Sequence, residues 1–398
     1  MSARSLSLSM EGPFSQETVT YIASEIRSDF ERPANIAFVF ASGEYLSHID
    51  EITETLRIDG HIMNVIFCST ESFICDAKEH ESKSGFSLLV IAEPLGEKSI
   101  EMAFVSAENP ESIYSVDLDA PRPLSFETFA HSKALGECLA FVDPHHFPTS
   151  DWLQTWGNYT LNAPVTGGLT ASLSGYKNLG VFLNGRKMEG ALLVRLYNKL
   201  KIVSVVSRGY RSLGEPLTVT RADNNIVYTL GARPAYEALE SVFSSLSEKE
   251  KNLAGRNLLA GLALSEYIDD FKSGDFLSGN IIGADPHSGG VALGCFPRVG
   301  QTLQYQYLDP VTAENDLQKA FSEAAQLTES PLASLLFVCN CRGKKFFGQK
   351  NVDAGALVKH FGLHPTAGLF CDGEIGPIHG INSVSAHSAV AALIIETE

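Results

Sequence analysis

Long apolar runs and basic residues are both scarce in this 398-residue sequence. No uninterrupted apolar segment approaches the roughly 18 residues that a membrane-spanning helix needs, so we expect no membrane insertion. Lysine and arginine total 30 against 47 aspartate and glutamate residues, and the formal net charge is −17. Because nucleic acids bind basic surfaces, this balance argues against a nucleic-acid partner. The N-terminal segment lacks the apolar core of a signal peptide, so we expect a cytoplasmic protein.

Cysteine is also sparse, and the familiar catalytic motifs are missing. The seven cysteines are odd in number and scattered over the chain, which is typical of reduced thiols in the cytosol and not of a disulfide framework. The sequence contains no CxxC pair and no GxSxG, Walker A, HExxH or GxGxxG motif. We therefore assign no catalytic residue and no metal site from the sequence.

The pattern of apolar residues predicts an α/β fold in two domains, with α+β as the alternative. Short apolar runs at 35–41 and 61–68 flank an amphipathic helical stretch, and this β-α-β order favours a parallel strand pair. A chain of this length exceeds one ordinary hydrophobic core. We predict an N-terminal arm and helix over 1–32, a first domain over 33–235 and a second domain over 236–398.

Two short segments recur along the chain. IFCS at Ile66–Ser69 resembles LFCD at Leu369–Asp372, and PVTGGL at Pro164–Leu169 resembles PTAGL at Pro365–Leu369. Each segment follows a predicted β-α unit. We interpret the recurrence as an internal duplication that makes the two mixed-sheet domains related, and convergent turn chemistry is the alternative.

The segment 334–377 contains the most informative chemistry. Two apolar runs of strand length, SLLFVCNC and TAGLFC, each end in a polar, glycine-containing turn. In a parallel pair both turns fall at one edge of the sheet, and the carboxyl ends of parallel strands are where α/β proteins bind ligands. We therefore predict a ligand site at this edge, formed by Cys339, Asn340, Arg342, Gly343, Asp372, Gly373 and Glu374.

The roles of these residues remain open at the level of sequence. Arg342 either grips a carboxylate or phosphate group, or pairs structurally with Asp372 or Glu374. Cys339 and Cys341 lie two apart, on one face of an extended strand, where a disulfide is unfavourable. With Cys371 and His379 or His387 they offer metal ligands, but small buried thiols are the favoured interpretation.

Several of these segments resemble the FIST family of sensory proteins. CNCRGKKFFG and GLFCDGEIGP resemble the FIST C-terminal domain, although Cys341 stands where that domain commonly has glycine. SRGYRSLGEPLTVTRADNNIVYTLGARPAYEAL resembles the FIST N-terminal domain, and APVTGGLTASLSG fits the same domain. The resemblance covers roughly residues 33–393, and it implies Arg208, Arg221 and Gly168 as further ligand-binding candidates.

The resemblance implies a sensory protein that binds a small ligand, such as an amino acid or a derivative. The chain has no kinase segment of its own, so signalling would require contact with a partner protein such as a histidine kinase. Because some bacterial relatives are haem proteins that sense nitric oxide, a haem cofactor is one alternative, with no cofactor assigned as certain. An enzyme that uses Cys371, His387 and Glu374 is a second alternative, and a protein-interaction scaffold is a third.

Overall fold

A computed structural model describes most of the chain, over residues 2–116, 121–131, 137–145, 147–173, 176, 178–328 and 330–397. Over these residues, no helix has both the length and the apolar character needed to cross a membrane. The helices are α1 (Gln16–Asp29), α2 (Ile49–Ile58), α3 (Phe126–His131), α4 (Thr149–Thr160), α5 (Ala235–Ser244), α6 (Glu248–Asn257), α7 (Pro310–Ala324), α8 (Lys344–Phe347) and α9 (Val352–Phe361).

Strands predominate over helices, and most of them are short. The strands are β1 (Arg4–Glu11), β2 (Ala34–Ser42), β3 (Ile62–Ser69), β4 (Phe73–Cys75), β5 (Lys78–His80), β6 (Gly85–Ala92), β7 (Ile100–Ser106), β8 (Ile113–Ser115), β9 (Pro123–Leu124), β10 (Cys138–Val142), β11 (Val165–Leu169), β12 (Val181–Leu183), β13 (Arg186–Met188), β14 (Gly190–Leu196), β15 (Leu200–Arg208), β16 (Tyr210–Asp223), β17 (Ile226–Leu230), β18 (Arg233–Pro234), β19 (Leu258–Ala263), β20 (Phe276–Asp285), β21 (Gly290–Leu293), β22 (Thr302–Leu308), β23 (Ala333–Cys339), β24 (Thr366–Cys371), β25 (Gly373–Ile378), β26 (Ile381–Ser385) and β27 (Ser388–Glu396).

The backbone packs as two compact units. Unit 1 comprises Met1–Ser207 and Leu317–Glu398, and unit 2 comprises Arg208–Asp316. Unit 2 is thus an insertion in the sequence of unit 1, and its own ends meet where the Arg208 amide donates to the Asp316 carboxylate at 2.7 Å. The ends of these compact units differ from the domain boundary predicted near residue 235. That boundary concerns the two sequence domains, and it stays a prediction.

Unit 1 contains one arrangement of strands three times. The sheet orders are β1-β6-β2-β3-β12-β13, then β9-β8-β7-β14-β10-β11-β25-β26, then β15-β27-β23-β24-β4-β5, here called sheets 1, 2 and 3. Each sheet is centred on a parallel pair joined through helix, namely β2–β3, β10–β11 and β23–β24. In each repeat the first strand of that pair also pairs antiparallel with a later strand, namely β6, β14 or β27.

The hairpin that follows each parallel pair is exchanged between sheets. Hairpin β4–β5 follows β3 but pairs with β24 in sheet 3, and β12–β13 follows β11 but pairs with β3 in sheet 1. Hairpin β25–β26 follows β24 but pairs with β11 in sheet 2. The three repeats are therefore interlocked, because each one completes the sheet of another.

The predicted α/β class is confirmed. The predicted duplication relates the two domains 33–235 and 236–398, whereas the structure shows three repeats within unit 1, two of them inside the first of those domains. The recurring sequence segments lie at the second parallel strand of each repeat: IFCS at the end of β3, VTGGL as β11 and LFC at the end of β24. Such strands are buried on both faces, which favours apolar and small residues at equivalent positions. The short sequence echo therefore reflects equivalent structural positions.

The three sheets of unit 1 share one hydrophobic core. Phe38 of β2, Phe141 of β10 and Phe337 of β23 pack at its centre, with ring centroids 5.4 Å apart for the first pair and 5.9 Å for the second. The opposite faces of the sheets are covered by α1 and α2, by α3 and α4, and by α7 and α9. This layering buries both faces of each parallel pair and leaves the strand ends as sites for polar chemistry.

Unit 2 has its own sheet and core. Its strands run in the order β16-β22-β19-β20-β21-β17-β18, and α5 and α6 contribute to its apolar cluster. The cluster includes Tyr305 and Tyr307 of β22, both buried. Unit 2 therefore has the hydrophobic core expected of a separately folding body.

Candidate functional site

The carboxyl ends of β23 and β24 meet at one edge, as the sequence predicts. Cys339 and Cys371 are register partners in this parallel pair. The amide of Asn340 donates to the Cys371 carbonyl at 3.0 Å, and its side chain donates to the Asp372 carboxylate at 2.7 Å. The other carboxylate oxygen of Asp372 accepts from the Ser172 amide at 2.8 Å. Asn340 and Asp372 therefore tie together the turns that follow β23, β24 and β11.

Arg342 is buried and already has a charged partner. Its Nη2 donates to Asp353 Oδ1 at 2.7 Å, and its Nε lies 3.2 Å from both carboxylate oxygens. The hypothesis of a partnership with Asp372 or Glu374 is wrong, because the first turn of α9 places Asp353 directly against the guanidinium group. The ring of Phe347 stacks 5.0 Å from it. This environment favours the structural role for Arg342 over the grip on a ligand.

Glu374 is a fully buried carboxyl group in β25. One oxygen accepts from the Ser388 amide at 3.1 Å and hydroxyl at 2.7 Å, and the other accepts from the Cys371 thiol at 3.4 Å. Burial raises the pKa of Glu374 well above its usual range. Glu374 is the second residue of its exchanged hairpin. The residues at the same position in the other two exchanged hairpins are apolar, namely Ile74 in β4 and Phe182 in β12. An ionisable group at this position is costly to bury, which points to a specific role.

Two predicted glycines are required by close packing. A Cβ at Gly168 would lie 2.9 Å from the Phe337 ring and 3.1 Å from the Cys371 sulfur. Gly343 has φ of 79°, and a Cβ there would lie 2.7 Å from Glu81 Oε2. Gly373 is buried as the first residue of β25 and pairs with Leu169. These glycines let backbone segments approach one another at the strand ends.

Two thiols and one imidazole converge beside this edge. One ligand atom each from Cys339, Cys341 and His387 lies within 4.8 Å of the others, and we call this group the thiol–imidazole cluster. The expectation that Cys341 continues the strand is wrong, because β23 ends at Cys339 and a turn closes with the Arg342 amide on the Cys339 carbonyl at 2.9 Å. The turn brings the two thiols together, while Cys371 is not in the group.

The pKa values of the two thiols in the cluster are shifted in opposite directions. A hydrogen bond to Cys339 lowers the pKa of the exposed Cys341 to about 7. The same interaction and burial raise the pKa of Cys339 to about 12. The lowered pKa and the exposure favour thiolate formation at Cys341, whereas burial raises the pKa of Cys371 well above its usual range.

A charged pocket lies where the exchanged hairpin β4–β5 meets the segment after β23. Its volume is about 280 Å³, and we call it the hairpin pocket. Glu11 on one wall pairs with Lys83 at 2.9 Å and with His80 at 3.0 Å. Within the described parts of the chain, neither Lys344 nor Lys350 has an ion-pair partner. The lining residues are Glu11, Glu79, His80, Glu81, Lys83, Lys344 and Lys350.

Glu79 and Glu81 join the pocket to the helices after β23. Glu79 Oε1 accepts from the amides of Asp353 and Ala354 at 2.9 and 3.0 Å, and both Glu81 oxygens accept from the Lys344 amide at 2.9 and 3.0 Å. Glu79 Oε2 is buried without a hydrogen-bond partner among the described residues. Burial and the nearby Asp353 raise the pKa of Glu79 to about 7.

Local sequence patterns do not predict the hairpin pocket. Its only local signal is the charged stretch Lys78 to Lys83, which looks like an ordinary solvated turn. The acidic residues of this stretch are more than 260 positions from Lys344 in sequence, as the Glu81 contact shows. Pairing of β4 with β24 creates the proximity, and no local pattern predicts that exchange.

The two predicted arginines of unit 2 have contacts of their own. Arg208 Nη1 donates to the Phe276 carbonyl at 2.8 Å, and Nη2 donates to the Gly274 carbonyl. The Arg221 guanidinium lies 4.7 Å from the centre of the ring of Tyr228, a half-buried residue of β17. Their assignment to a ligand site stays a prediction.

Two candidate haem ligands, His364 and His387, lie in settings that do not suit a haem group. Both ring nitrogens of His364 are hydrogen-bonded, to Ser334 at 2.7 Å and to the Gly362 carbonyl at 2.9 Å. His387 lies among thiols and the buried Arg342, not in an apolar slot. A cavity of about 280 Å³ around Phe104 offers the thioether of Met188 but no histidine or cysteine among its described lining residues. Haem binding therefore receives no support from His364 or His387.

Comparisons with known proteins identify the family of the chain. The model of the FIST N domain matches residues 35–233, and the model of the FIST C domain matches residues 235–377. Uncharacterized protein Rv0628c of Mycobacterium tuberculosis is 33% identical over 259 residues, which are 65% of this chain and 68% of that protein. Uncharacterized protein Mb0898c of Mycobacterium bovis is 32% identical over 260 residues, 65% of this chain and 67% of that protein.

A plant protein shares a shorter segment. The F-box/LRR-repeat protein At5g63520 of Arabidopsis thaliana is 33% identical over 84 residues, which are 20% of this chain and 16% of that protein. The two domain models together match most of the chain, and FIST domains are associated with sensory signal transduction. The protein therefore belongs to the FIST family.

Proposed function

We propose that this protein is a signal-input protein whose ligand, an amino acid or a close derivative, binds in the hairpin pocket. The observation that carries the proposal is the buried Glu79 Oε2, which has no hydrogen-bond partner among the residues that the structure describes, in a pocket shared with Lys344 and Lys350. Buried polar atoms are normally hydrogen-bonded, so an orphaned carboxylate oxygen next to a cavity suits a bound donor. The proposal is also supported by the sensory association of the family.

The charge pattern of the pocket suits a zwitterion. The ammonium groups of Lys344 and Lys350 attract a ligand carboxylate, while Glu79 accepts from a ligand ammonium group. The volume of about 280 Å³ suits a small polar molecule. The pocket also lies just after the carboxyl end of β23, the end of a parallel strand at which α/β proteins bind ligands.

Ligand binding at this place is suited to signalling. The pocket joins hairpin β4–β5 of the first repeat to α8 and α9 of the third repeat. A ligand that bridges these elements stabilises one arrangement of them, which shifts the population that a partner protein contacts. A signalling partner such as a histidine kinase and a cytoplasmic location are parts of this proposal.

Ligand-induced stabilisation tests the proposal. We expect at least one of the proteinogenic amino acids or their acidic derivatives to raise the unfolding midpoint. At a concentration 100 times its dissociation constant, that ligand should add about 2.7 kcal/mol to the free energy of unfolding. Lys350→Met should weaken that effect, whereas Lys201→Met, at an exposed lysine of β15, should leave it unchanged. If no compound of this class stabilises the protein, or if both variants respond like the wild type, the proposal fails.

The other function classes receive less support. An enzyme with Cys371 as nucleophile conflicts with the complete burial of that thiol and with its raised pKa. A scaffold without a ligand predicts that a partner protein binds equally well to the wild type and to Lys350→Met with no small molecule present. That outcome would separate the scaffold from the sensor.

A further inference from the structure

We propose that Cys339, Cys341 and His387 bind one thiophilic metal ion, with Zn²⁺ as the expected occupant. The two sulfurs and the imidazole nitrogen already lie within 4.8 Å of one another. With Zn–S bonds of ~2.3 Å and Zn–N bonds of ~2.0–2.1 Å, tetrahedral ligand atoms lie about 3.5–3.8 Å apart, so only a small contraction is needed. Sulfur and imidazole donors together favour zinc over the hard cations calcium and magnesium.

Each segment that supplies a ligand is fixed by a buried polar group. Arg342, held by Asp353, donates from Nη1 to the carbonyl of His387 at 3.4 Å. The carboxylate of Glu374 accepts from both the amide and the hydroxyl of Ser388, the next residue along the chain. Arg342 also closes the turn that carries the two cysteines. Arg342 and Glu374 thus act as positioning residues for the metal ligands.

The backbone at His387 supports a functional constraint. Its φ of 62° lies in the left-handed region, which residues other than glycine seldom occupy. His387 belongs to the two-residue connection between β26 and β27, which are in different sheets. A conformation of this kind persists only where its surroundings hold it, and here they direct an imidazole to a thiol pair.

The charge balance and the accessibility of the cluster suit a metal with an open position. Binding forms two metal–sulfur bonds and one metal–nitrogen bond, and it releases the two thiol protons to solvent. Two thiolates neutralise a divalent ion. Because Cys341 is exposed, solvent reaches the edge of the cluster and can supply a fourth ligand. Three protein ligands and one exchangeable position are typical of zinc sites that bind a further small molecule.

This site is separate from the hairpin pocket, since no residue of the cluster lines that pocket. The proposal therefore stands or falls independently of the proposed amino-acid ligand. Metal binding is measured on the purified full-length protein without amino acids, after treatment with a chelator and a thiol-free reductant.

Titration with Co²⁺ followed by Zn²⁺ tests the site. We expect one equivalent of Co²⁺ to produce thiolate-to-cobalt charge-transfer absorption and the intense visible bands of tetrahedral cobalt, and Zn²⁺ to abolish both. Cobalt spectra without sulfur charge transfer, or no saturable binding, would overturn the proposal. Competition against a chromophoric chelator gives the Zn²⁺ affinity.

Matched single variants identify the ligands. Cys341→Ser changes an exposed residue, so the protein should stay folded, and we expect Zn²⁺ affinity to fall by at least ~10–100-fold, the loss seen when even an outer-shell partner is removed. Cys295→Ser, a half-buried thiol of unit 2, is the control for loss of one cysteine, and His379→Ala is the control for His387→Ala. If Cys341→Ser binds Zn²⁺ as tightly as Cys295→Ser does, the assignment is wrong.

Discussion

Arg342 and Asp353 show how one buried ion pair supports the C-terminal edge. The pair is almost completely removed from solvent, with side chains 1% and 0% exposed. Desolvation of two charges is expensive, and the geometry compensates with several charge-assisted hydrogen bonds. The pair also links the turn after β23 to α9 and, through Nη1, to the carbonyl of His387. The main contribution of the ion pair is therefore to hold these segments in position.

Removing one partner of this pair should be far more harmful than removing both. We expect Arg342→Ala to lower the free energy of unfolding by about 3–5 kcal/mol, because Asp353 is left as an uncompensated buried charge. The double variant Arg342→Met/Asp353→Leu should recover most of this loss. Urea denaturation measures both, with Arg57→Ala on the exposed face of α2 as a control expected within about 0.5 kcal/mol of wild type. Equal losses in the single and double variants would contradict this account.

Glu79 should give the protein a measurable pH dependence of stability. Its pKa is raised from 4.5 to about 7, so between these values the folded state binds more protons than the unfolded state. Stability contributed by protonated Glu79 is fully present below pH 4.5 and is lost as the pH rises towards 7. Glu79→Gln retains a carbonyl acceptor for the α9 amides but does not titrate.

Unfolding midpoints of wild type and Glu79→Gln, compared across this pH range, test the assignment. The stability of the wild type relative to the variant should decrease from pH 4.5 to about 7 and then become constant. A difference between the two proteins that does not vary with pH would show that Glu79 titrates normally.

At the scale of elements, the exchanged hairpins decide where the polar residues meet. Hairpin β4–β5 brings Glu79 and Glu81 to the helices after β23, and hairpin β25–β26 brings Glu374 to β11. Each hairpin has only short strands, so its pairing depends on the register of a strand distant in sequence. Periodicity predicts that such strands exist, but it does not predict which sheet they complete.

The turn between β23 and α8 should tolerate no side chain at Gly343. A Cβ there meets Glu81 Oε2 at 2.7 Å, and φ of 79° adds backbone strain, so we expect Gly343→Ala to cost about 1–3 kcal/mol. Gly355, inside α9 with open space around it, is the matched control, and Gly355→Ala should stabilise by about 0.5–1 kcal/mol. Chemical denaturation of both variants checks these opposite signs, and a neutral Gly343→Ala would refute the turn geometry.

At the scale of the whole molecule, unit 2 is a separate body inserted into the third repeat. Residues 1–207 and 317–398 form the three interlocked sheets, and the inserted segment has its own core. Tyr210 and Leu308 are register partners in an antiparallel pair at the base of unit 2. The chain can therefore be closed between these two residues by a short hairpin turn.

Deletion of the insertion should leave unit 1 folded. We expect a variant with residues 211–307 replaced by Asn-Gly to unfold cooperatively and to show the circular dichroism of a mixed α/β protein. It should also retain metal binding at the thiol–imidazole cluster, whose residues all belong to unit 1. A non-cooperative, dye-binding product would show that unit 1 needs the insertion in order to fold.

Sequence patterns are enough to predict the α/β class, the parallel meeting of the strand ends at Cys339 and Cys371, and the glycine-containing turns beside them. These are local properties, because strand periodicity and turn chemistry are written in neighbouring residues. The tertiary structure alone decided that Arg342 pairs with Asp353, that His387 faces two thiols, and that a third repeat completes the unit. Those contacts depend on how strands and helices that are far apart in the chain align with one another. Local sequence patterns do not specify that alignment.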